Sequence, residues 1–245
     1  MSRRARISLF WGAAAVIAVM LALACAGLPH FGTGAHPYGA RAVAVSLRQH
    51  TANVVSSVNF DQRAFDTLGE ESILFAAVLG TVVLLRQARD ERQGSPRSGR
   101  VLPSTRLLGV VLLPVALLTG VYVIAHGQLS PGGGFQGGVV LATGLHLAYL
   151  AADYRVLERI RPLAVLDVAD AVGAGAFAAL GFAGIIAGAA YLQNVLPLGT
   201  FNTLTSGGLV PVINAAVGVE VGSGVVVLLA HFIDQAIEIE PGSDT

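Results

Sequence analysis

Residues 107–125 read LLGVVLLPVALLTGVYVIA, a run of nineteen residues without a charged side chain. A bilayer core about 30 Å thick needs about 20 mostly apolar residues if a helix is to cross it. The run reaches that length and lacks the period-two alternation of a barrel strand. It therefore predicts a transmembrane α-helix.

The composition of the whole chain places it among membrane proteins. Of its 245 residues, 54% are hydrophobic and 12% are charged, against about 25% charged in an average soluble domain. The 30 glycines suit closely packed membrane helices. Fifteen arginines balance fifteen acids without a lysine, so there is no basic footprint for nucleic acid. Because Cys25 is the only cysteine, no disulfide framework or CxxC site is possible, and we expect neither a metal nor a cofactor.

Five more segments resemble residues 107–125 in length and apolar character. They are residues 7–28, 68–85, 135–152, 165–192 and 209–233. The segment 135–152 is the shortest and the richest in glycine. We predict an all-α, polytopic membrane protein with about six transmembrane helices.

The arginines predict how these helices are oriented. Twelve of the fifteen precede the first segment or occupy the second and fourth connections, and the positive-inside rule makes that side cytoplasmic. An even number of spans then leaves both termini in the cytoplasm. We expect a multi-pass protein of a prokaryotic cytoplasmic (inner) membrane. The N-terminal segment has an alternative interpretation as a cleaved signal, although it is long for a signal and fits a lipobox poorly around Cys25.

A polar stretch divides the chain into two parts. Residues 86–105 are rich in arginine and contain four helix-breaking residues, Gly94, Pro96, Gly99 and Pro103. We predict a two-helix module over residues 1–90, a cytoplasmic linker over 91–105 and a four-helix domain over 106–245.

A charged string, NFDQRAFDTLGEE at residues 59–71, leads directly into the second apolar segment. Ordinary helix-start chemistry explains part of it, because Asp66 or Thr67 can cap the helix and early acids favour its dipole. Two adjacent carboxylates at Glu70 and Glu71 exceed that need. A charge inside a bilayer is costly and usually serves an ion path or a partner, so we assign a functional role to at least one of the two.

A second motif, HGQLSPGGGFQGG at residues 126–138, joins the third and fourth predicted helices. Pro131 disfavours helical angles at the residue before it, and Gly132, Gly133 and Gly134 permit a sharp reversal. Gly134 and Gly138 are spaced like a helix-packing face. A phosphate-binding loop is the alternative, but the Lys-Ser/Thr of a P-loop is missing. We therefore interpret residues 131–135, from Pro131 to Phe135, as a structural turn.

Several ionisable residues lie within or beside the other spans. Glu220 lies near the middle of the sixth predicted helix, where it serves either ion transfer or a neutral hydrogen bond to a neighbouring helix. His126 ends the third helix. His146 lies in the fourth, where packing is the commoner role. We expect solvation at the membrane surface to suffice for Asp167, Asp170 and Asp234.

Both motifs resemble one class of proteins, the multisubunit Mrp-type sodium/proton antiporters and the related modules of membrane-bound hydrogenases. Residues 107–234 are similar to the antiporter B subunit through YVIAHGQLSPGGGFQGG at 122–138, PVIN at 211–214 and GVEVG at 218–222. Gln128 stands where that family often has histidine, which argues against a proton role at this position.

The N-terminal string resembles a different piece of the same complexes. NVVSSV at residues 53–58 and DQRAFDTLGE at 61–70 are similar to the end of the antiporter A subunit, which some hydrogenases encode as a separate E subunit. Gln62 replaces the usual aromatic residue, and Glu71 replaces a residue that is usually uncharged. The chain is thus interpreted as an E-type module fused to a B-type subunit.

The resemblance implies a function in ion transport rather than enzyme catalysis. Asp66 and Glu70 become the first candidates for lining an ion path, with Asp61 and Arg63 as a charge pair at its outer mouth. Glu71, Glu220, His126 and His146 are further candidates. The implied partners are the other subunits of the complex, membrane lipid, and Na⁺ and H⁺. Without the lysine of the proton-pumping subunits, this chain is not expected to pump alone.

Three functional hypotheses remain open at this point. The first is an ion-path and assembly subunit of a cation/proton antiporter, which predicts exposed small-residue faces at Gly184 with Gly188 and at Gly218 with Gly222. The second is the same block inside a hydrogenase or related redox-driven complex. The third, a stand-alone structural or transport protein, is disfavoured because so few polar sites offer little coupling machinery.

Overall fold

The computed structural model describes residues 3–28, 36–85, 101–151 and 163–233. Within these ranges the regular elements are all helical, and no strand occurs. The α-helices are α1 (Arg3–Ala26), α2 (Pro37–Arg48), α3 (Val54–Ser57), α4 (Ala64–Leu84), α5 (Pro103–Ala125), α6 (Gly134–Ala151), α7 (Leu163–Ile186) and α8 (Val210–Ile233). A π-helical turn, Val58–Gln62, links α3 to α4.

Among the described residues, five helices are long and apolar enough to cross a membrane. They are Ile7–Ala26, Ala64–Leu84, Pro103–Ala125, Leu163–Ile186 and Val210–Phe232. This confirms the prediction of an all-α, polytopic membrane protein, with one qualifying span fewer than the six expected. The remaining predicted span forms α6, which has only 18 residues and includes the polar Gln136 and His146.

Some of the sequence predictions lie outside the described residues. These include most of the linker 91–105, the arginines at 86–100 and 155–161, and Asp234. The cytoplasmic location of both termini therefore stays a prediction. At the end of the linker, the structure starts α5 at Pro103, where proline suits a first helical turn because its missing N–H is not needed there.

The chain divides into two compact units, Met1–Ala40 and Arg41–Thr245. The first unit contains α1, in which none of the spanning residues is buried. The rings of Phe10 and Trp11 meet edge to face on this helix, with 5.5 Å between their centroids. The second unit holds α4 together with α5 to α8, so the helix that follows the charged string packs with the C-terminal helices.

Helix α8 is the centre of the second unit. It contacts α4, α5, α6 and α7 as well as the π-helical turn. In the most apolar 18-residue stretch of α8, 56% of the residues are buried. The corresponding share is 17% or less in the other four spanning helices. The core around it includes Phe60 of the π-helical turn and Phe177 of α7, whose rings meet edge to face. Most side chains of the outer helices are therefore left to face lipid or other proteins.

Glycine allows α8 to approach its neighbours backbone to backbone. A Cβ atom at Gly134 would lie 2.4 Å from the carbonyl oxygen of Asn214, and one at Gly138 would lie 2.8 Å from Cβ of Val221. On the other side, a Cβ at Gly173 of α7 would lie 2.6 Å from the backbone nitrogen of Glu220. Real Cβ atoms do not come so close, so α6 and α7 can hold these positions only because the residues are glycines.

Three of the four glycines expected to form exposed faces for partner proteins pack against the chain itself. Gly218 is buried against Ile124 of α5, and Gly222 lies next to Gly138 of α6. Gly184 is buried as well, with its Cα facing the carbonyl of Ala190. The expectation was wrong for Gly184, Gly218 and Gly222, which pack against a loop or a helix of the same chain, whereas Gly188 is exposed.

The segment predicted as a span over residues 165–192 is shorter in the structure. Helix α7 ends at Ile186, and residues 187–209 form an irregular loop that folds back onto the helix. The hydroxyl of Tyr191 donates a hydrogen bond of 2.8 Å to the carbonyl of Ala178, inside α7. Leu192, with φ of 62°, donates its N–H to Gly181. Apolar residues that resemble a continued helix are used here to anchor a loop.

The contact between α7 and α8 can be tested with two glycines on one helix. Gly173→Ala should destabilise the protein by about 1–3 kcal/mol, because its Cβ would collide with the backbone of Glu220 and Ala216. Gly175→Ala is the matched control, since nothing lies within 4 Å of its added Cβ. It should be neutral, or stabilising by up to about 1 kcal/mol. Thermal unfolding of the purified protein in detergent measures both, and equal effects would contradict this packing.

Candidate functional site

Asn53 ties the N-terminal module to the glycine-rich loop at residues 126–133. Its side-chain oxygen caps α3 by accepting hydrogen bonds from the N–H groups of Val55 and Ser56. Its side-chain nitrogen donates to the carbonyls of Gly127 and Ser130, each at 2.8 Å. The backbone N–H of Asn53 also donates to Gln128. Asn53 thus forms hydrogen bonds both with the start of α3 and with the turn that lies 74 to 77 residues further along the chain.

Asn214 of α8 makes the second connection between these parts. Its side-chain nitrogen donates to Oγ of Ser56 at 3.0 Å, and its side-chain oxygen accepts the N–H of Gly134 at 2.8 Å. That N–H begins α6 and has no partner within its own helix. Asn214 is fully buried, so these bonds form where water does not compete.

The residues predicted as a structural turn lie at this junction. Gly132 and Gly133 have φ of 130° and 147°, angles that residues with side chains rarely adopt. Gly134 is instead the first residue of α6. Pro131 is exposed, and Phe135 is 46% exposed on the surface of α6. A Cβ at Gly133 would lie 2.7 Å from Oδ1 of Asn214, so the turn is shaped around that side chain.

The loop at residues 187–209 covers the same junction. The side-chain nitrogen of Gln128, which is fully buried, donates to the carbonyls of Leu204 and Ala125. His50 contacts the carbonyl of Gly199 through Nδ1 at 2.8 Å. Gln128 therefore supports two carbonyls in a buried setting.

The three acids of the charged string that belong to α4 lie on different sides of this helix. Glu71 is buried, on the same face as Thr67 and Val78, and this face points into the second unit. Glu70 is exposed. Asp66 is also exposed, and it forms an ion pair with Arg63 in which Nε donates at 2.6 Å. The ion pair of Arg63 is therefore with Asp66, whereas the sequence had suggested Asp61 as its partner.

Asp61 lies in the π-helical turn just before α4, and it is half-buried. Burial raises the pKa of its carboxyl group above the usual range, while a side-chain hydrogen bond with Asn194 acts in the opposite direction. Its Oδ2 atom is buried without a hydrogen-bond partner among the described residues. A carboxyl group in this setting keeps its proton to a higher pH than an exposed one.

Three buried acids, each from a different helix, interact electrostatically beside α8. Glu220 of α8 is fully buried, and it interacts electrostatically with Glu71 of α4 and Asp170 of α7. The side chains of Glu71 and Asp170 are 4% and 5% exposed. We call these three residues the carboxyl cluster. It joins two acids that the sequence had singled out, Glu71 and Glu220, with one that it had not.

Asp170 is the functional candidate that sequence reasoning missed. It was expected to be solvated at the membrane surface, but it lies on the buried face of α7 together with Gly173 and Phe177. Gly224 of α8 makes room for it, since a Cβ there would lie 2.7 Å from Oδ1 of Asp170. The spacing of small and buried residues at 170, 173, 177 and 181 was the available signal, because it repeats at helical periodicity.

The two candidate histidines lie apart from the carboxyl cluster in sequence and in contacts. His126 follows α5 and stacks on Tyr122, with 4.0 Å between ring centroids, and its Nδ1 contacts the carbonyl of that residue. His146 lies in α6, and its Nε2 is buried without a hydrogen-bond partner among the described residues. Neither histidine is among the groups that act on Glu220.

The surroundings of the carboxyl cluster differ from those of a metal site. Within the described residues, no group of three or more His, Cys, Asp or Glu side chains is placed to bind a metal. Oxygens of all three members of the carboxyl cluster are buried without a hydrogen-bond partner there. Protonation removes the charge and supplies a donor, which relieves both costs of burial.

A family model described as a domain related to the MnhB subunit of Na⁺/H⁺ antiporter matches residues 105–227. The match spans 123 of the 245 residues and includes most of α5, all of α6 and α7, and α8 through its buried part. The chain belongs to this MnhB-related family. With its five candidate spans it is a multi-pass membrane protein, and the family is one of transporter subunits rather than enzymes.

Two curated proteins show how far this MnhB-related chain extends along its relatives. An uncharacterized protein of Methanocaldococcus jannaschii is 28% identical over 201 residues, covering 70% of this chain and 73% of that protein. The B subunit of the Na⁺/H⁺ antiporter of Alkalihalophilus pseudofirmus is 35% identical over 80 residues, covering 32% of this chain and 54% of that relative. The match thus spans only about half the length of that antiporter protein.

Two solved structures share the fold. A chain of the membrane-bound sulfane sulfur reductase, an archaeal respiratory membrane complex, matches with a TM-score of 0.70 and 27% identity, over 93% of this chain and 98% of that chain. A chain of the Mrp complex from Dietzia matches with a TM-score of 0.69 and 24% identity, over 97% of this chain but only 27% of that chain. The second likeness shows the fold alone.

The double role of Asn53 can be separated by two substitutions. Asn53→Ala removes both the cap and the donor to the Gly127 and Ser130 carbonyls, and should cost about 1–3 kcal/mol of stability. Asn53→Asp keeps a good cap but turns a carboxylate oxygen toward those two carbonyls. We expect it to lower the melting temperature at least as much as the alanine variant does. Stability equal to wild type for Asn53→Asp would reduce the role of Asn53 to capping.

Proposed function

We propose that this chain is a membrane subunit of a multisubunit cation (Na⁺)/proton antiporter complex, where it contributes to assembly and to the ion path. The observation that carries the proposal is the MnhB-related domain over residues 105–227, whose α8 buries Glu220 against acids from α4 and α7. The partners are the other subunits of the complex, membrane lipid, and Na⁺ and H⁺. The chain acts as a transporter subunit of a prokaryotic cytoplasmic membrane, without a catalytic site or cofactor of its own.

The N-terminal part acts as an E-type module in this proposal. Asp66 and Glu70 lie on the exposed side of α4 and are its candidates for the ion path, with Asp61 and Arg63 near its outer mouth. The hydrogen bond that Asn53 donates to Gly127 and the one that Ser56 accepts from Asn214 fix the module to the family domain. Part of one longer Mrp chain matches 97% of this chain, which supports this arrangement at the level of the fold.

The position of Glu70 supports a role that needs partner proteins. It lies six residues after the start of α4, which is about 9 Å along a helix. A carboxylate exposed to lipid at such a depth costs free energy, and proteins usually keep such charges for paths and partners. We therefore expect a neighbouring protein of the complex to cover this side of α4 with polar groups. The need for such a neighbouring protein also explains why we do not expect the chain to transport ions alone.

A second candidate function is a membrane subunit of a redox-driven ion-pumping complex. It is favoured by the likeness to the sulfane sulfur reductase chain, because the match covers nearly the full length of both chains. The redox groups would belong to other subunits, and this chain would serve the same ion-transfer role. Purification of the native complex distinguishes the two candidates: a redox complex contains iron–sulfur or other redox subunits and responds to an electron donor, whereas an antiporter does not.

Sodium/proton exchange in vesicles containing the whole complex tests the proposed function. Glu70→Gln should lower exchange by at least about tenfold, equivalent to about 1.4 kcal/mol, with the complex still assembled. Ser72→Ala is the matched control, because this exposed side chain bonds only to the carbonyl of Leu68 in its own helix. Unchanged exchange in Glu70→Gln would remove Glu70 from the ion path and leave it a helix-start charge. Absence of exchange in the wild-type complex would contradict the antiporter function itself.

A further inference from the structure

The carboxyl cluster brings acids from three different helices to one buried place. Glu71 lies two turns into α4, Asp170 two turns into α7, and Glu220 near the middle of α8. Glycines at 173 and 224 permit this approach, since a Cβ at either would collide with the backbone of Glu220 or with the carboxyl of Asp170. The packing of three helices, and not one local turn, therefore creates the cluster.

The cluster has more hydrogen-bond acceptors than the surrounding protein satisfies. Both carboxyl oxygens of Glu220, together with Oε2 of Glu71 and Oδ1 of Asp170, are buried without a partner in the described part of the chain. An ionised carboxylate in such a place is costly, and an unpaired acceptor is costly as well. A protonated carboxyl group carries no charge and gains a donor, so a bound proton lowers both costs.

The charges around the cluster are negative. Glu220 interacts with Glu71 and Asp170, Glu71 also interacts with Glu70, and Asp170 also interacts with Asp167. No basic side chain is among the groups that act on these three acids in the described residues. Within the described residues, neutralisation of these acids is therefore left to a bound ligand. A proton fits because each carboxyl group can bind one by itself, whereas a metal ion needs a shared coordination that these residues do not offer.

We propose that Glu71, Asp170 and Glu220 form one intramembrane proton-binding site, in which the three carboxyl groups titrate as a coupled unit through the charge that each places on the others. Protonation of one carboxyl group removes the charge that it places on the other two, and only O–H bonds are formed or broken. The inference deepens the proposed function, on which it rests for the identity of H⁺ as a transported ion. It places proton storage on the inner side of α4, separate from Asp66 and Glu70 on the exposed side.

Infrared difference spectroscopy of the whole purified complex, recorded over a pH series, tests this site. The C=O stretch of protonated carboxyl groups reports bound protons. We expect Glu220→Gln to remove part of this band and to shift the remaining part to lower pH by about one unit, because the substitution removes a neighbouring charge. Glu71→Gln must produce a reciprocal shift of the same size, since coupling between two sites acts equally in both directions.

Asp167→Asn is the comparison variant: it removes an exposed carboxyl that acts on Asp170 without belonging to the cluster, so it can shift the contribution of Asp170 to lower pH but removes none of the three carboxyl groups. It should leave the band intensity unchanged. The two glutamine variants keep the shape of the side chains, and either one suffices if the other fails to assemble. Loss of intensity without any shift would mean independent acids and would overturn the coupled site. If sodium abolishes the band in the wild-type complex but not in the variants, the cluster binds a cation instead of protons.

The spectroscopic result is independent of the exchange assay. A complex that shows the coupled band but no sodium/proton exchange keeps the proton site and contradicts the proposed antiporter function. A complex that exchanges sodium for protons without the band keeps the function and overturns the site.

Discussion

The close approach of α6 and α7 to α8 is the constraint on which the rest of the second unit depends. At Gly134, Gly138 and Gly173 the neighbouring backbone or Cβ lies where a side chain would begin. This contact buries α8 more deeply than any other candidate span. It also forces whatever α8 carries at its centre, including Glu220 and Asn214, into the protein interior.

Two kinds of buried polar group follow from this arrangement, and they differ in how well they are satisfied. Around Asn53 and Asn214, side-chain amides match the free N–H and C=O groups of helix ends and turns. Such complete networks stiffen a structure. Around Glu220 the acceptors outnumber the donors. The first region fixes the geometry, and the second retains an affinity for protons that a fully bonded region would lack.

The sequence was sufficient to predict the helical membrane fold, because long runs without charges have few other solutions. The shape of the turn was also accessible, since Pro131 followed by glycines limits the backbone. The sequence did not reveal whether each acidic side chain points into the protein or away from it. α4, α7 and α8 are apolar around most of their circumference, so periodicity could not tell that Glu71 and Asp170 face α8 while Glu70 does not. The return of residues 187–209 onto α7 was missed because anchoring residues such as Leu192 resemble a continued helix.

The hydrogen bonds of Asn53 and Ser56 have a consequence for how such chains can be encoded. They join residues near position 55 to residues at 127, 130 and 214, so the two parts of the second unit hold each other by non-covalent contacts. A peptide link between the two parts then ensures that they are made in equal amounts, but the structure does not require it. The same interface can serve two separately synthesised polypeptides or one long one, which lets fusion and fission of subunits occur without redesign of the membrane core.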